Sequence, residues 1–286
     1  MILEHLVKEN NKTINQIIQT EFNLSARLFN KLVKNKRIYL NNYIADTRNI
    51  ASKDDVISID LNYEEDNSNI VPTKMDLNIV YEDDGLLILD KPAGIPVHPS
   101  MLHYTNSLSN GVRFYFDSIG LKKKIRPVNR LDLDTSGLII FAKNEYVQEH
   151  LIKQMTNGTF HKEYMCLAEG IFENSIGTIN APIARKPGSI IERCVSENGQ
   201  IAITDYEVIK LFDDYSLVKC VLKTGRTHQI RVHMAYIGHP LVGDTLYGNG
   251  KSDLVDRQAL HSCKISFLHP VTLEKMIFVS EPDFIK

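Results

Sequence analysis

The chain has 286 residues, 43% of them hydrophobic and 24% charged, with a formal net charge of −2. Those values fit a soluble globular protein with room for one large domain and a small module, and exclude a disordered or collagenous chain. No run approaches the roughly 18 apolar residues of a membrane span. The opening MILEHLVKENNK lacks the basic and apolar regions of a signal peptide. The four cysteines, Cys166, Cys194, Cys220 and Cys263, have no metal-ligand spacing and are expected as small buried hydrophobes. A cytoplasmic protein without membrane attachment is the expectation. A near-neutral chain that acts on nucleic acid must concentrate its basic charge locally.

Residues 1–62 read as a small α/β module. Ser25 is placed to cap a helix over residues 26–35, with Leu28, Phe29, Leu32 and Val33 on its apolar face. Arg27, Lys31 and Lys34 lie on another face, and Lys36 and Arg37 follow directly. Two strands are expected near residues 37–40 and 56–61, with Asn41-Asn42 as a turn. Taken alone, the basic stretch reads equally as a solvated helix face. Residues 63–75 are polar and acidic with one proline, and read as a linker.

From residue 76 to 286 short apolar runs (86–89, 138–142, 165–168 and 215–222) alternate with turns and a few helices. The clearest helices are expected over residues 145–155 and 227–237. Strands outnumber helices and are irregularly spaced. The expected class is therefore α+β, with a mixed, largely antiparallel sheet and flanking helices.

Three segments carry candidate chemistry. Asn129-Arg130-Leu131-Asp132-Leu133-Asp134-Thr135-Ser136-Gly137 sets an acid in a turn that feeds a buried strand, where a catalytic group is held rigidly. An Asp in a turn also commonly caps backbone N–H groups, and in isolation Asp132 and Asp134 each read as such a cap. Phe160-His161-Lys162-Glu163-Tyr164 opens a strand. Thr224-Gly225-Arg226-Thr227-His228-Gln229-Ile230-Arg231-Val232-His233 opens a helix, with Thr227 as its expected cap. Arg231 sits on an otherwise apolar helix and needs a carboxylate partner; Asp132 is a suitable candidate, and the alternatives are another, structural acid or a side chain that snorkels to solvent. The basic stretch Lys122-Lys123-Lys124-Ile125-Arg126 is a further candidate for phosphate. Ten histidines invite a metal reading, but no H-E-x-x-H or C-x-x-C occurs and no metal site is expected.

Taken in order, these segments resemble the RluA-type family of RNA pseudouridine synthases. Gly85-Leu86-Leu87-Ile88-Leu89-Asp90-Lys91-Pro92-Ala93-Gly94 and Gly238-His239-Pro240-Leu241-Val242-Gly243-Asp244 with Tyr247-Gly248 extend the resemblance. Asn129 stands where the family usually has His. Over residues 13–60 the chain also resembles the alpha-L RNA-binding motif. The resemblance implies isomerisation of uridine in RNA without a cofactor, after the target base is flipped from its stack. It implies Asp132 as the essential acid, Arg231 as its basic partner and Tyr164 against the base. Arg130, Arg226, His228 and Gln229 are expected at the RNA, with Arg27, Lys31, Lys34, Lys36 and Arg37 gripping phosphates from the module. A monomer with RNA as its partner is expected, with large-subunit ribosomal RNA as the target. The alternatives are the same chemistry on transfer or messenger RNA, and a non-catalytic RNA-binding assembly factor.

Overall fold

The structure is a computed structural model that describes residues 1–285. Its larger part is a ten-stranded sheet in the order Ile176–Asn180, Ile203–Leu211, Tyr215–Leu222, His161–Glu169, Leu260–Leu268, Ser136–Ala142, Leu86–Lys91 and Ile79–Glu82. Lys275–Val279 pairs with Leu260–Leu268, and Arg126–Pro127 with Ser136–Ala142. Neighbours in this sheet are antiparallel except Ser136–Ala142 and Leu260–Leu268, which meet in parallel at Ser136↔His261 and Gly137↔Ser262. The class is α+β with a mixed, largely antiparallel sheet, as the sequence suggests. Gly137 makes the parallel junction possible: its φ is +107°, and a Cβ there would lie 2.4 Å from the carbonyl oxygen of Ser262.

The central strands read as unbroken apolar runs because both faces are buried. Leu86, Ile88, Leu138, Ile140 and Ala142 point to one side and share a core with the helix Glu145–Asn157. Leu87, Leu89, Ile139 and Phe141 point to the other, toward Val112 and Phe116 of the helix Leu108–Ser118 and Ile230 and Met234 of the helix Gln229–Tyr236. This alternation follows the two-residue period of a strand.

The N-terminal residues build a four-stranded antiparallel sheet in the order Ile2–Leu6, Val56–Asp60, Ile38–Leu40, Tyr43–Ile44. Ser25 caps the helix Ala26–Lys34 by accepting from the N–H of Leu28. Asn41 and Asn42 have φ of 48° and 71°, as a two-residue hairpin turn requires. That turn leads into Tyr43–Ile44, a strand the sequence pattern does not reveal, rather than into the one starting at Val56. Val33 stays exposed, while Leu28 and Leu32 are buried. Leu3, Ile14, Leu28, Leu32, Ile57 and Ile59 belong to the same continuous core as Leu86 and Ile140. The N-terminal sheet thus covers one face of the large sheet.

Ion pairs reinforce that contact and revise three expectations. Residues 63–75 carry no helix or strand, yet Glu65 has a side chain only 4% exposed. It accepts from both terminal nitrogens of Arg126 at 2.7 and 2.6 Å, and from Lys31 at 3.3 Å. Lys31 also reaches Glu145 at 2.8 Å. Lys123 is buried and donates to the carbonyls of Leu61 and Tyr63, each at 2.6 Å. The linker expected over 63–75 is therefore fixed at its start. Lys31 is engaged internally rather than free for phosphate, and so are Lys123 and Arg126 of the basic stretch. Glu65 and Glu145 together neutralise Lys31 and Arg126.

Burial alone would raise the carboxyl of Glu65, but the guanidinium of Arg126 outweighs it and holds the group below its ordinary value. The stability this gives is complete above the unfolded value near 4.5 and is lost as pH falls through the lower folded value. Glu65→Gln leaves Arg126 buried without its counter-charge, so at pH 7 the variant should lose about 3 kcal/mol of unfolding free energy. Denaturant titration across acidic pH should find the gap closing as the wild-type carboxylate itself takes up a proton. A gap independent of pH would contradict the pairing.

Candidate active site

The parallel junction of the large sheet opens into a cleft of about 540 Å³. Residues 128–132 and 221–230 line it, together with Thr135, His161, Lys162 and Tyr164. Asp132 lies at the start of a turn, closed by the N–H of Thr135 on its own carbonyl at 3.2 Å, just before the strand Ser136–Ala142. Three features hold that turn. Lys91 is fully buried and donates to the carbonyls of Pro92, Ile95 and Leu133, each at 2.8 Å. Burial pushes its ammonium down to about 8, opposed by the charge of Asp134. Arg257 donates to the carbonyl of Asp134 at 3.2 Å. Asn129 presents its amide to the strand edge, accepting from the N–H of Ile140 at 2.9 Å and donating to the carbonyl of Leu138 at 3.3 Å. A neutral amide that both donates and accepts fits this position, and it explains how Asn is accommodated here.

Asp132 lines the cleft and Asp134 does not. Arg231 brings its Nη1 to 3.6 Å from Asp132. Its main partner is another acid: Nε and Nη2 donate to the two carboxylate oxygens of Asp244 at 2.7 and 2.8 Å. The expected Arg231–Asp132 pair is therefore the outer half of a triad whose inner member the sequence reading passed over. Asp244 is fully buried and also accepts from the N–H groups of Leu246 and Tyr247 at 2.9 and 3.0 Å. Burial would raise its carboxyl, but Arg231 and these N–H groups prevail and hold it below its ordinary value. Asp244 and Tyr247 lie in the segment 238–248, and the signal that could have found them is the need of a buried guanidinium for a bidentate partner.

Tyr164 is 5% exposed, on the strand His161–Glu169. Burial and then the charge of Asp132 raise its phenol well above the usual value, so the group stays protonated at neutral pH. His228, not Thr227, precedes the helix Gln229–Tyr236, in a left-handed conformation with φ of 58°. Its Nδ1 meets the Tyr247 hydroxyl at 2.8 Å and its Nε2 lies 3.9 Å from Asp132. Burial lowers its pKa, against the opposing charge of Asp132. The ring of Tyr247 packs under the guanidinium of Arg231, 5.0 Å from its centre.

Gln229 departs from expectation. Its side chain is 2% exposed and accepts from the hydroxyl of Thr224 and the N–H of Arg226 at 2.8 and 2.9 Å. It also donates to the carbonyl of Ile203 and the hydroxyl of Thr204 at 3.0 and 2.9 Å. It braces the loop and has nothing left for RNA. Arg130 and Arg226 are exposed at the cleft, and Arg226 donates through Nε to the carbonyl of Ile201. Outside the cleft lining, Arg27, Lys34 and Lys36 are exposed, whereas Arg37 is tied to Asp60.

A family model described as RNA pseudouridylate synthase matches residues 85–236. The chain is 38% identical over 279 residues to the uncharacterized RNA pseudouridine synthase YhcT of Bacillus subtilis, covering 97% of this chain and 91% of that one. It is 40% identical over 224 residues to ribosomal large subunit pseudouridine synthase D of Blochmanniella floridana, covering 73% of this chain and 70% of that one. Among solved structures, human RNA pseudouridylate synthase domain containing 1 aligns with a TM-score of 0.62 at 27% identity, over 73% of this chain and 85% of that one. The family model spans the turn of Asp132, the strand of Tyr164 and the helix of Arg231, and a full-length relative carries the same assignment, so the chain belongs to the RluA-type family of RNA pseudouridine synthases and is an isomerase of uridine in RNA.

Proposed function

We propose that Asp132 is the nucleophile, that the target uridine is flipped into the cleft, and that the substrate is large-subunit ribosomal RNA. The observation that carries the first point is the division of labour around Arg231. Asp244 takes the bidentate fork, so Asp132, which lines the cleft, is not consumed by it and has a cation 3.6 Å away. In this reading the carboxylate of Asp132 bonds to C1′ of the ribose, and the glycosidic electron pair leaves with N1 of uracil. The base turns, and its C5 bonds to C1′ as the Asp132 bond breaks. C5 then loses a proton and N1 gains one. Tyr164, protonated through this pH range, packs against the base and offers an O–H rather than a base. A stacked uridine hides its glycosidic bond, which is why flipping is required. Arg130, exposed at the cleft, suits the space the base vacates, and Arg226 and His228 stand at its other wall.

The ribosomal target is supported by relatives named ribosomal large subunit pseudouridine synthase D. The exposed cations Arg27, Lys34 and Lys36 extend an RNA-binding surface onto the N-terminal module. Mapping pseudouridines in total RNA from a strain lacking the gene, against its parent, tests the target. A missing modification confined to transfer or messenger RNA would overturn it.

Asp132→Asn should abolish pseudouridine formation, with RNA binding within a few-fold of wild type, because the change is nearly isosteric and removes the charge. Asp134→Asn should keep most activity. Equal loss in both variants would reassign the acid. Replacing Arg27, Lys34 and Lys36 together by Gln should make the salt dependence of RNA affinity shallower, by roughly 0.7 to 0.9 per lost phosphate contact. An unchanged slope would remove the module from the RNA surface.

A further inference from the structure

The cleft contains a cation that the chemistry described above does not use. Lys162 lines the cleft two residues before Tyr164 on the strand His161–Glu169. Alternate residues of a strand share a face, so Lys162 and Tyr164 point the same way, about 7 Å apart along the strand. Glu163 points to the opposite face and is held by Lys264 at 2.8 Å. The acid nearest in sequence is therefore unavailable to Lys162. Its Nζ lies instead against Gly225, where an added Cβ would sit 3.4 Å away.

The more deeply buried lysines have partners. Lys91 has three carbonyls, Lys123 has two, and Lys143 pairs with Glu82 at 2.7 Å. Among the described residues nothing accepts a hydrogen bond from Lys162 and no carboxylate lies within ion-pair distance. Burial is the one influence on its ammonium, and it lowers the pKa. A half-buried charge without a counter-ion costs stability that a purely structural residue has no reason to carry. A missing partner that is anionic, enters the cleft and lies about one strand pleat from the base has the chemistry of an RNA backbone phosphate.

We propose that Lys162 binds the phosphodiester flanking the target nucleotide and so seats the uridine on Tyr164. This deepens the reading of the cleft as a uridine site. The bare Cα of Gly225 keeps the approach open on one side. The charge is placed in advance, so RNA binding supplies the counter-ion that folding leaves out. Such a contact adds to affinity and to orientation of the ribose, without touching the bonds that change.

The test compares Lys162→Met and Lys162→Arg with wild type on total RNA from the deletion strain, which contains the natural target unmodified. Single-turnover kcat/KM is followed against salt, and Tm of each free protein is measured. Lys162→Met should lower kcat/KM about tenfold or more, and its log–log salt slope should be shallower by roughly 0.7 to 0.9. Its Tm should equal or exceed that of wild type, because an uncompensated charge has been removed. Lys162→Arg should keep the slope. An unchanged slope in Lys162→Met, or a fall in Tm that accounts for its lost activity, would overturn the proposal. Asp132→Asn run beside them separates the two readings: if it is inactive while Lys162→Met behaves as wild type, the phosphate contact alone is refuted.

Discussion

A guanidinium buried beside the acid of a cleft must be neutralised, and how that is done sets the rest of the site. Arg231 is 7% exposed. Were Asp132 its one partner, the bidentate fork would consume both carboxylate oxygens and turn them from the cleft. Asp244 prevents this by taking Nε and Nη2, leaving Nη1 to face Asp132 at 3.6 Å. Asp244 is itself fixed by two backbone N–H groups, so the cation is aimed before any RNA arrives. Arrangement in advance of this kind lets a charge act on a reaction without reorganising during it.

The same economy governs the turn that carries Asp132. Its carbonyls are claimed by Lys91 at Leu133 and by Arg257 at Asp134, and the amide of Asn129 docks on the strand that follows. Each contact comes from a different part of the chain, and each gives a backbone group of this segment a hydrogen-bond partner. The parallel junction at Gly137 brings this turn beside the strand Leu260–Leu268, whose other neighbour carries Tyr164. The acid, its cation and the aromatic floor thus converge because the sheet changes pairing direction there.

Much of this was legible in residues alone, and the exceptions have physical causes. The runs at 86–89 and 138–142 announced buried strands because no polar residue interrupts them. Ser25 and Asn41-Asn42 announced a cap and a turn through local chemistry. The strand Ile2–Leu6 left no such trace, since Ile2 and Leu6 are more than half exposed and blur its alternation. Periodicity revealed a basic helix face but not the acids opposite it. Glu65 and Glu145 reach Lys31 from 34 and 114 residues away. Asp244 escaped for a related reason: only the fold sets it against Arg231, while Asp132 offered an acid in a suggestive motif. Gln229 read as a polar contact for RNA, whereas the loop turns it inward and the left-handed conformation of His228 completes the bend.

The central claim is that Asp244 acts on Asp132 through Arg231. A double-mutant cycle with Asp244→Asn and Arg231→Met, read as single-turnover pseudouridine formation with RNA affinity measured alongside, tests it most directly. Each single variant should slow turnover on the order of a hundredfold while affinity stays within a few-fold. The double variant should be no slower than the slower single one, because the first change has already released the shared element. Losses that multiply, or an Asp244→Asn enzyme that turns over at the wild-type rate, would contradict the account.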